Sequence, residues 1–294
     1  MALKVIIPGA VFTDTTLPIL YPDPLIVPGS LMLIDFGRAD TFALDQVPAH
    51  GAQLNNIAWE QAAAVVGGGS VATLSPAFEN TFAGQPTMGL VERTIKKGLH
   101  VITSQAAMDS TGRRAGFVLP AAIRNHLHAT VPSRGLYASL WGRYTRLATQ
   151  GTDVVGLYAA LTNPSANYAF LFYRGVAVVP DTGATNLGTS RLPASEGLNA
   201  WYAAGAQNGW VGSKPGASTD TELVFWFGAR GAYESFQRNK AASGVFYRFY
   251  LEDLTASGRT FAQVDALDRA LYNEAFGTGG RFAADAWTSP ATIP

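Results

Sequence analysis

Hydrophobic and polar residues alternate with a period of two over much of the chain beyond about residue 70. The clearest run is 135–146, and this period is typical of a β-strand with one buried face. One face holds Leu136, Ala138, Leu140 and Tyr144. The other face holds Tyr137, Ser139, Trp141, Arg143 and Thr145. Further strands are predicted at 154–161, 168–174, 176–179, 223–227 and 245–251, with shorter or weaker ones at 31–36, 71–74 and 99–104. Many short strands separated by turns predict a mainly β fold, a jelly roll or β-sandwich, rather than a parallel α/β sheet.

Two of these strands are bulky and mostly apolar on both faces, namely 223–227 and 245–250. A strand of this kind lies in the centre of a sheet with both faces covered, or it places one face against another subunit. The pattern leaves both arrangements open.

Three segments carry helical patterns. Thr260 and Gln263 form a capping box, and the apolar spacing up to Gly277 predicts one amphipathic helix over about 261–276. In this pattern Asp265 and Asp268 lie off the centre of the apolar stripe. The segment 57–66 predicts a short helix that ends at the glycines 67–69, and 120–128 is either a short helix or a strand.

The N-terminal part differs from the rest, because prolines recur every two to four positions between residues 17 and 29. Proline favours an extended backbone without ladder hydrogen bonds, so this segment is predicted to be an arm that needs a surface to lie on. That surface is either its own domain or a neighbouring subunit. The apolar residues that would be buried in assembly are Ile19, Tyr21, Leu25 and Ile26. The triple glycine then suggests a division into an N-terminal arm and attachment region, 1–69, and a β body, 70–294.

Charged residues make up only 14% of the 294 residues, against about 25% in an ordinary soluble domain. A low charge content indicates either that much of the surface is covered in an assembly or that the chain is a large all-β domain, which uses few Lys and Glu.

Composition also excludes several classes of function. Lys plus Arg balance Asp plus Glu at 21 each, so nucleic acid is not an expected partner. No apolar run approaches the ~18 residues of a membrane span, so we expect a soluble chain without membrane insertion. The chain has no cysteine, which removes disulfides, thiolate metal sites and a cysteine nucleophile.

Patterns for catalysis or metal binding are weak. His126 and His128 would share one face only on a strand, and no carboxylate follows at ligand spacing. Asp220 and Glu222 form the one carboxylate pair with strand spacing, and they are best explained as a solvated strand entry. Neither a Gly-x-Ser-x-Gly elbow nor a phosphate-binding loop is present. We therefore predict no catalytic residue, no metal, no cofactor and no enzymatic activity.

The stretch 180–221 is the best candidate for a binding site, because it is long, has little regular pattern and carries aromatic residues among hydroxyl and amide groups. Sugars use such surfaces, since their C–H faces stack on rings while their hydroxyls need polar partners. The candidate glycan-binding residues are Trp201, Tyr202, Asn208 and Trp210. Two alternatives stay open: these rings form a subunit interface, or they pin the loop to its own sandwich.

Several features together resemble the virion proteins of tailed bacteriophages. They are a start without a secretion signal, the proline-rich arm 17–29, the strand Gly-Ser-Leu-Met-Leu-Ile-Asp-Phe at 29–36, a cysteine-free aromatic β body, and the strand–loop–helix segment 250–268. The body is similar in style to the concanavalin-like or laminin-G-like jelly rolls of phage tail, baseplate and fibre proteins. The resemblance is architectural, points to no named family and transfers no catalytic residue. It implies repeated copies around a symmetry axis, with the arm as an anchor and the jelly roll facing outward.

The sequence thus predicts a structural component of a tailed-phage virion at the tail tip or baseplate. It would assemble in the host cytoplasm as a homo-oligomer, most simply a trimer, bind neighbouring virion proteins and contact the host surface. A capsid decoration or cement protein is one alternative. A carbohydrate-binding, receptor-recognition module is another.

Overall fold

Two antiparallel sheets form the framework of the protein. The structure is a computed structural model that describes residues 23–105, 113–131, 133–147, 154–160, 168–173, 177–178, 190–191, 198–207, 209–210, 213–217, 221–228 and 241–294. Four of the residues singled out by the sequence, Ile19, Tyr21, Asn208 and Asp220, lie outside the described residues.

Within the described ranges the larger sheet has six strands. Five of them lie in the order β11-β6-β13-β4-β3, and the sixth, β1, pairs with a different stretch of β13 from the one that pairs with β4. These strands are β1 (Ser30–Asp35), β3 (Gly89–Arg93), β4 (Leu99–Thr103), β6 (Leu136–Arg146), β11 (Ala200–Gln207) and β13 (Ser243–Asp253). The smaller sheet has five described strands in the order β2-β5-β12-β7-β8. They are β2 (Ala77–Asn80), β5 (Arg114–Val118), β7 (Val154–Ala160), β8 (Tyr168–Tyr173) and β12 (Thr221–Gly228). The short strands β9 (Ala177–Val178) and β10 (Ser190–Arg191) pair with each other.

Aromatic side chains join the two sheets face to face. Phe225 of the smaller sheet lies 4.2 Å from Phe249 of β13, and Phe227 lies 4.6 Å from Phe246, measured between ring centroids. The inward residues of β6 that the alternation identified, among them Leu136 and Leu140, belong to the same buried cluster. The predicted mainly β sandwich is therefore confirmed, and so are the strand positions at β1, β4, β6, β7, β8, β12 and β13.

The other face of the larger sheet is also covered, by the C-terminal helix and by both ends of the described chain. Tyr137 and Trp141, on the outward face of β6, are 0% and 1% exposed. The alternation along β6 predicts a half-buried strand. This prediction is wrong, because helix and tail residues such as Val264 and Phe282 pack on the second face. The same cover explains why β13 is apolar on both sides without a partner subunit.

Four α-helices lie within the described residues: α1 (Trp59–Val66), α2 (Ala121–Thr130), α3 (Leu254–Ser257) and α4 (Phe261–Phe276). Helix α1 ends at Gly67, whose φ of 85° places it in the left-handed region that glycine adopts readily. The capping box of Thr260 and Gln263 begins α4, as the sequence predicts. For 120–128 the helical alternative is confirmed, with Pro120 directly before the first helical residue. None of these helices is long and apolar enough to cross a membrane.

The weak strand predicted at 71–74 is wrong, because these residues form a turn. The amides of Thr73 and Leu74 both donate to the carbonyl of Ser70, and the amide of Ser70 donates to the Thr73 hydroxyl. Local side-chain and backbone bonds of this kind compete with strand pairing.

The described part of the predicted arm packs on its own chain. Leu25 is fully buried in a cluster with Tyr250 and Val264, and Ile26 packs against that cluster. For these two residues the structure shows the intramolecular alternative. The division of the chain at residue 69 stays a prediction, and β1 from its first part is hydrogen-bonded to β13 from its second.

The C-terminal segment crosses the outer face beside β4. His100 is fully buried there, with Nδ1 2.7 Å from Glu92 Oε1 and Nε2 2.8 Å from the Thr145 hydroxyl. The backbone and hydroxyl of Thr288 also donate to Glu92, which ties the segment to the sheet.

Candidate functional site

An open cleft of about 800 Å3 lies on the helix-covered side of the larger sheet. Asp23 and Pro24 line one side of it, and the C-terminal half of α4 with the loop 278–281 lines another. Trp141 of β6 and Arg248 of β13 also line it. A cleft of this size is in the range that proteins use for small ligands, roughly 300–1,000 Å3.

A β-bulge places Arg248 on this side of the sheet. Phe246 pairs with Gly142 and Arg248 pairs with Trp141, so Tyr247 is an extra residue in β13. Phe246 and Phe249 both belong to the inner core, while Tyr247 belongs to the outer cluster. With strict alternation Arg248 would join Phe246 in the core; the bulge brings it to the outer face instead, next to Trp141.

Carboxylates hold the guanidinium group of Arg248 in place. Asp23 accepts two hydrogen bonds from it, at 2.9 and 2.7 Å, and Asp35 accepts a third at 3.2 Å. The network continues outward, because Arg281 donates to both oxygens of Asp35, at 3.1 and 2.6 Å. On the other side Arg38 pairs with Asp40 and lies 3.7 Å from Asp23. Guanidinium and carboxylate groups therefore alternate along this side of the cleft.

The network fixes the charge states of its central pair. Burial alone would raise the pKa of Asp23, but the charge and hydrogen bonds of Arg248 outweigh it and hold that pKa below its ordinary value. Burial alone would lower the pKa of Arg248, and Asp23 and Asp35 raise it above its ordinary value instead. Both groups are consequently charged at neutral pH.

A second carboxylate cluster positions the indole ring of Trp141. Asp268 of α4 accepts a hydrogen bond of 3.0 Å from Trp141 Nε1 and one of 3.1 Å from the Tyr137 hydroxyl. Asp268 is fully buried, and this burial raises its pKa. The placement of Asp268 off the centre of the helix stripe was wrong, because the sheet supplies polar partners that let a carboxylate take a core position.

Two guanidinium groups at the cleft reach solvent, and one is enclosed. The side chains of Arg38 and Arg281 are 24% and 37% exposed, whereas that of Arg248 is 3% exposed. The Nε atom of Arg248 has no hydrogen-bond acceptor among the described residues. The guanidinium group of Arg248 also lies 4.8 Å above the Trp141 ring, in a cation–π contact.

The glycan-binding residues predicted from the sequence lie elsewhere. Trp201 belongs to β11, is 2% exposed and packs on Tyr144 in the sandwich core, with ring centroids 5.8 Å apart. The Tyr202 hydroxyl donates to Asp265 at 2.9 Å and contacts the Tyr137 hydroxyl. Trp210 is partly buried against the core. The self-packing alternative thus describes Trp201 and Tyr202, and 180–221 contains a regular eight-residue strand within its described part.

The other candidate residues are also accounted for. His126 and His128 lie on α2, where Nε2 of His126 is 3.0 Å from Asp253 and Nε2 of His128 is 2.9 Å from the Pro215 carbonyl. In the part of the chain that the structure describes, no three His, Asp or Glu side chains are grouped as a metal site would require. Asp220 and the side chain of Glu222 lie outside the described residues.

Comparisons with known proteins give little. No protein-family model matches the chain, and no curated protein matches it. Among solved structures, the CBM22-1 xylan-binding domain of Paenibacillus barcinonensis Xyn10C aligns over 78% of this chain and 96% of that chain, with 9% identity and a TM-score of 0.30. A botulinum neurotoxin type C structure, whose cell entry depends on two ganglioside molecules, aligns over 81% of this chain and about half (51%) of that chain, with 8% identity and a TM-score of 0.36. At these TM-scores neither likeness bears on the function of this chain.

Proposed function

We propose that this protein is a non-catalytic carbohydrate-binding module and that the cleft beside Arg248 holds the sugar. The observation that carries the proposal is the alternation of fixed guanidinium and carboxylate groups along an open cleft of ligand size. Among the functions that the sequence leaves open, the carbohydrate-binding module is the one that this cleft and its charged groups support.

The chemistry of a sugar matches that alternation. Each hydroxyl group is both a donor and an acceptor, so it bonds best where a donor and an acceptor lie side by side. Arg38 and Arg281 offer donors that reach solvent, and Asp23 and Glu274 offer acceptors on the same cleft. Because ion pairs already fix Arg38, Arg281 and Asp23, binding would cost little side-chain entropy at these three groups.

The same geometry makes Asp23 unsuited to be the general acid of glycoside hydrolysis. A glycosidase needs one carboxyl group that is protonated at working pH, as a general acid. Both oxygens of Asp23 are engaged by Arg248, which keeps the pKa of Asp23 low and the group ionised. Asp23 is thus suited to accept hydrogen bonds rather than to donate a proton.

A variant that fills the cleft tests the proposal. Thr278 is exposed and lines the cleft, so Thr278→Trp adds an indole to it without removing a buried contact. We expect the purified protein to bind neutral oligosaccharides on a glycan array, and the variant to bind at least about tenfold more weakly. Thr87→Trp is the control, because Thr87 is also exposed and lies outside the cleft. Equal binding by both variants, or no binding by the unmodified protein, would contradict the proposal.

A place in a tailed-phage virion, a trimer and the neighbouring virion proteins stay predictions from the resemblance, as does the alternative of a capsid decoration protein. A carbohydrate-binding module is the kind of part that a virion protein needs in order to contact a host surface, so the two proposals are compatible.

A further inference from the structure

The charges around the cleft are unequal. Three guanidinium groups line it, those of Arg38, Arg248 and Arg281. Four carboxylates stand against them: Asp23 and Glu274 in the lining, and Asp35 and Asp40 in direct ion pairs with the arginines. This group of described side chains therefore carries a net charge of −1.

One further feature adds negative potential. Helix α4 ends at Phe276, and its last turn and the following loop line the cleft. The C-terminal end of a helix carries about half a negative charge.

Each guanidinium group at the cleft is already matched by a carboxylate. Arg248 is held by Asp23 and Asp35, Arg281 by both oxygens of Asp35, and Arg38 by Asp40. An anionic ligand would have to displace one of these carboxylates or bind next to it. An uncharged hydroxyl can instead accept from a guanidinium and donate to its partner carboxylate in the same place.

We infer that the cleft selects uncharged sugars over sugars that carry a carboxylate or sulfate group. The inference rests on the proposed function, and it specifies the class of sugar that the module binds. Glu274 and Asp40 are its specificity-determining residues, because they are the two exposed carboxylates of this group and place negative charge on the solvent side of the cleft.

Matched sugar pairs test the inference. Oligosaccharides of glucose, galactose and mannose are titrated calorimetrically beside their uronic acid counterparts, which differ by the carboxylate at C6. We expect the neutral member of a bound pair to bind at least about tenfold more tightly at low ionic strength. The difference should shrink between about 0.01 M and about 0.15 M salt, where the screening length falls from about 30 Å to about 8 Å.

Two exposed carboxylates provide the variant. In Asp40→Asn combined with Glu274→Gln, both replaced groups are exposed and their volume is kept, so folding should be retained. We expect the ratio of acidic to neutral affinity to rise at least about threefold at low salt. If the acidic member binds as tightly as the neutral one in the unmodified protein, or if the ratio does not move in the variant, the inference is overturned and the proposed function stands. If no member of any pair binds, the proposed function fails and the inference fails with it.

Discussion

Asp23 and Arg248 are joined by two hydrogen bonds of 2.9 and 2.7 Å, although 225 residues separate them in the sequence. Both side chains are nearly excluded from solvent, at 6% and 3% exposure. The pair fastens the N-terminal segment to the larger sheet and forms part of the cleft, so the fold and the candidate site depend on the same contact.

Removing one member of this pair should destabilise the protein strongly. Asp23→Ala leaves the buried guanidinium group of Arg248 without its main partner, and such changes cost about 3–5 kcal/mol. Asp40→Ala removes a carboxylate from Arg38 at the surface and should cost less than about 1 kcal/mol. Urea unfolding measures both values. Similar losses of stability for the two variants would show that Asp23 is not the buried ion-pair partner of Arg248.

Asn56 should be important for β1. Its side-chain oxygen accepts from the amides of Leu33 and Ala58, and its side-chain nitrogen donates to the carbonyls of Leu31 and Leu74. Asn56→Ala leaves these buried groups unpaired, and we expect the free energy of unfolding to fall by roughly 2–4 kcal/mol. The exposed neighbour Asn55 provides the control, because Asn55→Ala should change the free energy of unfolding by less than about 0.5 kcal/mol. A fall in the free energy of unfolding of less than about 1 kcal/mol for Asn56→Ala would contradict this role.

Trp201 should behave as a core residue. A β-carbon added at Gly142 would lie 2.3 Å from Cζ2 of Trp201, so Gly142→Ala overpacks this site and should cost about 1–3 kcal/mol. Trp201→Leu should make room for the added methyl group, so that the double variant loses less than the sum of the two single losses. Gly216→Ala is the control, because nothing lies within 4 Å of the added atom. Strictly additive losses would place the Trp201 ring elsewhere.

His100 should make stability fall in mild acid. Burial lowers the pKa of His100 below its ordinary value of 6.5, and this effect outweighs the opposing effects of the hydrogen bond that His100 shares with Glu92 and of the Glu92 charge. The unfolded chain therefore takes up a proton at a higher pH than the folded protein does, so the free energy of unfolding decreases as the pH falls through about 6.5. The slope should approach about 1.4 kcal/mol per pH unit.

Replacing His100 isolates this effect. His100→Gln has no titrating ring, so its stability should be flatter between about pH 6.5 and pH 5, above the range in which most carboxylates titrate. Urea unfolding at a series of pH values gives both curves. Parallel curves for the two proteins would exclude His100 as the source.

The sequence predicts local structure well here, because local structure depends on near neighbours. The capping box at Thr260 gives the right start of α4, and the alternation along β6 gives the right element and the right faces. The burial of those elements could not be predicted in the same way. Whether the outward face of β6 meets solvent or a helix depends on where α4 packs, more than 100 residues later in the chain.

The sequence does not predict the cleft beside Arg248, because that cleft also depends on contacts between distant parts of the chain. Nothing in the run Val245–Leu251 signals the bulge at Tyr247, and without it Arg248 would be assigned to the wrong face. The partners of Arg248 come from near the start of the chain, which one sequence alone cannot connect to β13. The rings of Trp201 and Tyr202 suggested a sugar platform, but aromatic residues serve cores and binding surfaces equally well. One signal was available, since an arginine inside an apolar strand requires a buried carboxylate partner.

NMR of the arginine Nε–H groups tests whether a sugar binds in the cleft beside Arg248. A neutral oligosaccharide that the protein binds is added stepwise, and the resonances are assigned by Arg→Lys substitution at exposed positions. We expect the resonances of Arg38 and Arg281 to shift with ligand concentration. The resonance of Arg143, which donates to the carbonyl of Leu198 just before β11, should not shift. Shifts confined to Arg143, with Arg38 and Arg281 unchanged, would contradict this expectation and place the sugar at the β11 edge instead.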